Sequence, residues 1–126
     1  MSRPRDSVVM ATYDASPLLR HALRSLLLSE WADWEAIVVG DACTDDTEDV
    51  VRAFGDDRIR FRNLEHNSGQ QATPTNIALG LVRGEFVAFL NQDDLYLEHH
   101  LALNVERMRR GDAGWICSPY AEIPPE

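Results

Sequence analysis

The sequence predicts a three-layer α/β fold on a mainly parallel sheet of four or five strands, and three observations carry that prediction. Short apolar runs rich in β-branched residues alternate with segments of helical periodicity, the pattern of strand–helix–strand crossovers. The run Phe86–Leu90 has the length and the aromatic and β-branched content of a strand covered on both faces. Three of the runs stop abruptly at polar loops: Thr12-Tyr13-Asp14, Gly40-Asp41 and Asn91-Gln92-Asp93-Asp94.

The elements follow in order. Ser7–Thr12 is a first strand, and Ser16-Pro17 supplies an N-cap with proline at the first helical position. Leu19, Ala22, Leu23, Leu26 and Leu27 then recur at helical spacing, so residues 17–29 form a helix with one face on the sheet. Glu35–Val39 is a second buried strand, and Thr47–Phe54 a short helix whose first turn gathers Asp45, Asp46 and Thr47 as capping groups. Arg58–Arg62 alternates cleanly, with Ile59 and Phe61 towards the core and the arginines outside, which suits an edge strand. A polar loop, His66–Thr73, leads to a helix over about Pro74–Arg83, closed by Gly84. After the strand ending at Leu90 comes a helix over about 96–110. Gly114–Ser118 starts one more strand, and Pro124-Pro125-Glu126 is a frayed end. Burial of the most apolar strands gives the order 3-2-1-4.

At 126 residues the chain is one domain, spanning 1–126, with enough length for a real core. Its 44% hydrophobic and 26% charged content is ordinary for a globular protein. No apolar run approaches the roughly 20 residues of a membrane span, and Met1-Ser-Arg-Pro-Arg-Asp6 lacks the apolar stretch of a signal peptide, so a cytoplasmic location is expected. Cys43 and Cys117 are lone thiols without metal-ligand spacing, which argues against a disulfide scaffold or a zinc site. The net charge of −9 excludes a nucleic-acid binder, which needs a basic face. It also means that a phosphorylated ligand would need cations or backbone amides to screen the repulsion. Apart from histidine every basic residue is an arginine, which excludes a P-loop lysine, a lysine Schiff base and a lysine general base together.

In the order 3-2-1-4, strands one, two and four end near Thr12, Asp41 and Asp93. Open α/β sheets bind ligands at such an edge. Tyr13 offers a flat face for stacking on a base, against the alternative that this loop is only a turn capped by Asp14 or Ser16. Asp41 can accept a hydrogen bond from a base imide or from ribose hydroxyls. Asn91, Asp93 and Asp94 bring oxygen ligands suited to a hard divalent cation shared with phosphates, while Asp94 also reads as a helix N-cap. The first loop has no glycine where a dinucleotide fingerprint needs one, so a Rossmann dehydrogenase is disfavoured. His66, His99 and His100 have no nucleophile partner and read as solvated.

Ser7-Val-Val-Met-Ala-Thr-Tyr-Asp14, Trp34-Glu-Ala-Ile-Val-Val-Gly-Asp-Ala-Cys-Thr-Asp-Asp-Thr47, Asn67-Ser-Gly69 and Arg83-Gly-Glu-Phe-Val-Ala-Phe-Leu-Asn-Gln-Asp-Asp94 stand in the order and spacing of the family 2 glycosyltransferases. From about residue 7 to 118 the chain resembles the nucleotide-sugar-binding N-terminal half of their GT-A fold. The resemblance implies an inverting enzyme that passes sugar from a nucleotide diphosphate, with uridine as the base, to an acceptor hydroxyl on a glycan, lipid or small molecule. It implies that Thr12 and Tyr13 cradle base and ribose, and that Asp41 pairs with the uracil imide. Asn91-Gln92-Asp93 resembles the Asp-X-Asp motif, with Asp93 holding Mn²⁺ or Mg²⁺ on the diphosphate. Asn76 and its neighbours resemble the segment that closes over ribose and sugar.

The sequence departs from that pattern in two acids, since Gly40 and Asn91 stand where the family carries carboxylates. Family members also carry a second half with the acceptor site and a general base. The chain therefore reads as part of a longer glycosyltransferase with its base elsewhere, Asp94 being the one candidate within it. Two alternatives remain: a donor-binding domain without complete chemistry, and a nucleotidyltransferase. The latter usually needs a glycine-rich, Arg- or Lys-bearing loop after the first strand, which Thr12–Leu18 lacks.

Overall fold

The computed structural model describes residues 3–111, 114–117 and 121. Its elements are β1 (Asp6–Thr12), α1 (Ser16–Leu27), β2 (Trp34–Gly40), α2 (Thr47–Ala53), β3 (Ile59–Asn63), α3 (Ala72–Leu79), β4 (Phe86–Phe89) and α4 (His100–Arg109). The four strands form one parallel sheet in the order β3-β2-β1-β4, as expected. β1 and β2 are central, pairing along their whole lengths from Asp6↔Trp34 to Thr12↔Gly40.

Alternation along these strands divides the core between two faces. Val8 and Met10 of β1 and Trp34, Ala36 and Val38 of β2 meet Leu19, Ala22, Leu23 and Leu26 of α1, Val51 of α2 and Leu101 of α4. On the other face Val9, Ile37 and Val39 meet Ala78, with Ile77 and Leu79 of α3 packed alongside. Ile59 and Phe61 of β3 turn to the first face, as the sequence pattern requires.

The sheet carries two buried carboxylates, Glu35 on β2 and Asp6 on β1, and Glu35 organises the amino-terminal edge. Glu35 is 1% exposed. Its Oε2 accepts from Ser7 Oγ at 2.6 Å and from the Arg83 main-chain N–H at 2.8 Å. Its Oε1 accepts from Arg60 Nη2 and Arg83 Nε, both at 3.0 Å. Burial pushes the Glu35 carboxyl up, but these hydrogen bonds and the Arg60 charge outweigh it and hold the group below the ordinary glutamate value. Arg60 is thus not simply turned outward: it bridges Glu35 and the Leu81 carbonyl.

The same network corrects the expected end of the third helix. α3 stops at Leu79 with Gly80 as its C-cap, not at Arg83. Residues 81–85 instead form a loop that feeds Arg83 to Glu35 and the Gly84 N–H to Ser7 Oγ at 2.8 Å. Gly84 closes no helix. A Cβ there would lie 2.8 Å from Ser7 N and 2.9 Å from Asp6 C, so its absence permits close backbone contact.

Other boundaries shift for equally local reasons. Ser16 is the first helical residue of α1, Ala15 is its N-cap, and Ser16 Oγ donates to Asp46. α4 begins at His100 rather than near 96, because Tyr96 is drawn towards the core: its N–H bonds Ser25 Oγ, its hydroxyl donates to the Phe89 carbonyl, and its ring stacks on His100. Asp94 therefore caps no helix. His100 is half-buried in that stack rather than solvated, while exposed His99 pairs with Glu30. β4 is not covered on both faces. α3 packs over β1 and β2, leaving Val87 40% and Phe89 46% exposed. Residues 114–117 form no strand, and Ser118 and Pro124-Pro125-Glu126 lie outside the described residues.

Asp6, 2% exposed, is the reverse of Glu35, since its Oδ2 has no hydrogen-bond partner among the described residues. Burial pushes its carboxyl up to about 7, the Asp33 charge adds to the rise and Arg5 opposes it. An acid raised in this way stabilises the fold fully below its unfolded pKa, about 4, and loses that contribution as pH rises through the folded value. Asp6→Asn should therefore match the wild type near pH 4. Its advantage should grow towards pH 7 and level off above it at roughly 1–3 kcal/mol. Urea denaturation at pH 4, 6 and 8 measures this, and a constant difference across that range would refute it.

Candidate functional site

The carboxyl ends of β1, β2 and β4 surround a cavity of about 480 Å³. β1 contributes Ala11 and Thr12 and, in the loop beyond, Tyr13. β2 leads to Asp41, and β4 to Asn91, Gln92 and Asp93; the segment before α3 adds Asn67, Gly69, Gln70 and Gln71, and α3 itself Pro74. Five of the six binding residues read from the sequence, Thr12, Tyr13, Asp41, Asn91 and Asp93, thus meet at one opening. Asn76 does not join them: it is exposed on α3 and outside the lining. Asp94 is also exposed and outside it, in a turn where its N–H bonds the Asn91 carbonyl.

Asp41 is held by what surrounds it. Its N–H donates to the Thr12 carbonyl at 2.9 Å. Its carboxylate accepts the Ser68 N–H at 2.9 Å and Ser68 Oγ at 3.0 Å, and Asn67 Nδ2 donates to its carbonyl. One acid therefore anchors the 67–71 loop to β2 while lining the cavity. The next residue, Ala42, adopts a left-handed conformation with φ of 61°, unfavourable for an L-residue by about 1–2 kcal/mol. Asn63 holds this turn from β3, accepting the Cys43 N–H at 2.8 Å and donating to the Cys43 carbonyl at 3.0 Å.

Gln92 ties the first loop to the last: its Oε1 accepts Thr12 Oγ1 at 2.8 Å and the Tyr13 N–H at 2.9 Å. Asn91 meets Gln71 across the cavity, Gln71 Nε2 to Asn91 Oδ1 at 2.9 Å. Sequence reasoning gave Ser68, Gln71 and Gln92 no role of their own. Ser68 and Gln92 stand inside the quoted motifs, and that was their only signal. Tyr13 is 50% exposed, with its ring free to receive a flat partner.

Two sets of groups could hold a cation. The Asp93 carboxylate lines the cavity and accepts no hydrogen bond among the described residues. The other set is Asp14, Cys43 and Asp45, whose ligand atoms lie within 4.8 Å of one another. There the oxygens already serve the loop. Asp14 Oδ1 accepts the Thr44 and Asp45 N–H groups. Asp45 Oδ1 accepts the Thr47 N–H and hydroxyl at the start of α2, whereas Asp46, the N-cap, makes no side-chain cap bond and accepts from Ser16 Oγ instead. Burial raises the Asp45 pKa, but the bonds to Asp45 outweigh it and lower it overall.

Comparisons with known proteins agree with this geometry. The model of the family described as Glycosyl transferase family 2 matches residues 7–125. The chain is 30% identical over 117 residues to the Escherichia coli UDP-Glc:alpha-D-GlcNAc-diphosphoundecaprenol beta-1,3-glucosyltransferase WfgD, covering 93% of this chain and 46% of that protein. It is 32% identical over 121 residues to the putative teichuronic acid biosynthesis glycosyltransferase TuaG of Bacillus subtilis, covering 94% and 48%. The chain thus spans about half the length of these curated relatives. Among solved structures, Staphylococcus aureus TarS 1–349 in complex with UDP-GlcNAc superimposes with a TM-score of 0.81 at 29% identity, over 84% of this chain and 31% of that one. The mannosyltransferase PcManGT of Pyrobaculum calidifontis, in complex with GDP-Man and Mn²⁺, does so at 0.71 and 28%, over 81% and 31%.

The glycine before Asp41 has a steric cause. A Cβ on Gly40 would lie 2.7 Å from Asn63 Oδ1, 3.0 Å from Cys43 Sγ and 3.2 Å from Phe61 Cζ. Gly40→Asp, which restores the family's acid, should break the Asn63 clasp and destabilise the protein by about 1–3 kcal/mol. The urea midpoint should fall with an unchanged slope; a midpoint equal to that of wild type would refute the steric account.

Proposed function

The chain belongs to glycosyl transferase family 2, with its GT-A fold, and from that premise we propose that it is the donor-binding part of an inverting glycosyltransferase using a uridine diphosphate sugar. One observation carries the reading: Thr12, Tyr13, Asp41, Asn91 and Asp93, read from three separated motifs, line a single cavity. TarS in complex with UDP-GlcNAc supports the choice of donor class.

In this proposal the base lies on Tyr13, where stacking tolerates any base, and its imide N–H donates to Asp41. Each Asp41 oxygen takes one bond from Ser68 and keeps acceptor capacity for a ligand. Asn91 offers an uncharged amide to ribose hydroxyls. Asp93 fits a hard cation, Mn²⁺ or Mg²⁺, as a lone carboxylate whose remaining ligands would come from diphosphate and water. Such an ion, when bound, neutralises the nucleoside diphosphate that leaves as the acceptor oxygen attacks the anomeric carbon. Asn76, exposed on α3 beyond the lining residue Pro74, takes no contact with the nucleotide in this proposal.

Deprotonation of the acceptor hydroxyl needs a base on the acceptor side, and Asp94 is not among the residues that line the cavity. We assign that base to sequence beyond this chain, so residues 1–126 alone bind donor without transferring sugar. The acceptor is a hydroxyl on a glycan, lipid or small molecule. No helix among the described residues is long and apolar enough to cross a membrane. A nucleotidyltransferase is the weaker reading, because no arginine lines the cavity among the described residues.

Calorimetric titration with UDP should show tighter binding with Mn²⁺ or Mg²⁺ than in chelator. Asp93→Ala should remove that difference at a cost on the order of a few kcal/mol. Equal affinity in both conditions would remove the metal from the proposal. Asp41→Asn should weaken UDP binding by roughly 1–3 kcal/mol, the worth of a charged hydrogen bond. Unchanged UDP affinity in that variant would show the base to be placed wrongly.

A further inference from the structure

The cavity poses an electrostatic problem for the ligand proposed for it. Its charged lining residues are Asp41 and Asp93, both acids, and no arginine or histidine joins them among the described residues. What it offers an anion is neutral: Asn67, Gln70, Gln71, Asn91 and Gln92 all line it with side-chain amides. Several of these are engaged. Asn67 Nδ2 donates to the Asp41 carbonyl, Gln70 Nε2 to Thr73 Oγ1, and Gln71 Nε2 to Asn91 Oδ1.

Gln92 differs in a way that hydrogen bonding settles. Its Oε1 accepts from Thr12 Oγ1 and from the Tyr13 main-chain N–H. A main-chain N–H can only donate, so the amide oxygen belongs on that side and the NH₂ cannot be exchanged with it. The NH₂ group donates to no acceptor among the described residues. The amide is thus oriented by the β1 loop, with both donor hydrogens unspent beside the cavity.

We propose that Gln92 is a phosphate-binding residue: its Nε2–H groups donate to a diphosphate oxygen of the nucleotide ligand while Oε1 holds the Thr12–Tyr13 loop. The inference rests on the donor-binding reading above and adds a means of holding diphosphate that needs no ion. Because Asn91 brings no charge where the family has a carboxylate, amide donors take a larger share of the phosphate contacts here.

Gln92→Glu tests this with almost no change in shape. Glutamate keeps an oxygen for Thr12 and Tyr13 but turns the donor into an anionic acceptor. UDP and uridine are titrated against both proteins by calorimetry in chelator, so that the new carboxylate recruits no ion. The wild type should bind UDP more tightly than uridine. The variant should lose about tenfold or more in UDP affinity, the scale of one charged hydrogen bond, and less than twofold in uridine affinity. Its melting temperature should match that of wild type. UDP affinity within twofold of wild type, or an equal loss for uridine, would reduce Gln92 to a clasp and overturn the proposal. A wild type that binds UDP no better than uridine in chelator would overturn it as well. A wild type that binds neither, even with Mn²⁺, would overturn the donor-binding reading itself, a failure visible before any variant is made.

Discussion

The Glu35 carboxylate is the constraint on which the rest of this structure depends. A charge buried in a sheet is unfavourable unless every oxygen is occupied, and removing one partner leaves an uncompensated group. Glu35 meets that condition with donors from β1, β3 and the loop before β4, so three separate segments must arrive together for any of them to be satisfied. The result is a staple across the amino-terminal edge of all four strands. In a parallel sheet every strand then points the same way, and the loops leaving the opposite edge are brought to one place without further specification.

That opposite edge is held more lightly and by different chemistry. Single side chains reach between loops: Asp41 to Ser68, Asn63 to Cys43, Gln92 to Thr12 and Tyr13. Each contact fixes one loop relative to one strand end, and all keep polar capacity facing outward. A firmly tied base with lightly pinned loops suits the proposed role of admitting and releasing a nucleotide.

The strand order and the identity of every described element were legible in the sequence, because apolar runs of the right length leave few alternatives. What misled was local. The third helix was extended to Arg83 because Gly84 reads as its terminating residue, while the buried glutamate that claims Arg83 lies 48 residues earlier. α4 was begun too soon because Tyr96 reads as helical, although its ring and N–H serve the core and Ser25. Within the site, the acids and the tyrosine stood out because charge or aromaticity at a strand end is informative. Ser68 and Gln92 did not, since a neutral side chain acquires meaning only from a partner about 27 or 80 residues distant. Asn76 rested on family pattern alone, and α3 holds it outside the cavity lining while Pro74, two residues earlier, belongs to it.

The uncovered flank of β4 bears on how the molecule behaves in solution. The strand's outer edge pairs with no other strand among the described residues, and Val87 and Phe89 project apolar surface beside it. Such an edge is a template for pairing with another chain. The opposing influence is the net charge of −9, which keeps copies apart at a range set by ionic strength. Colloidal stability of this domain is therefore a balance between an adhesive strand and a repulsive surface, and salt weakens only the second.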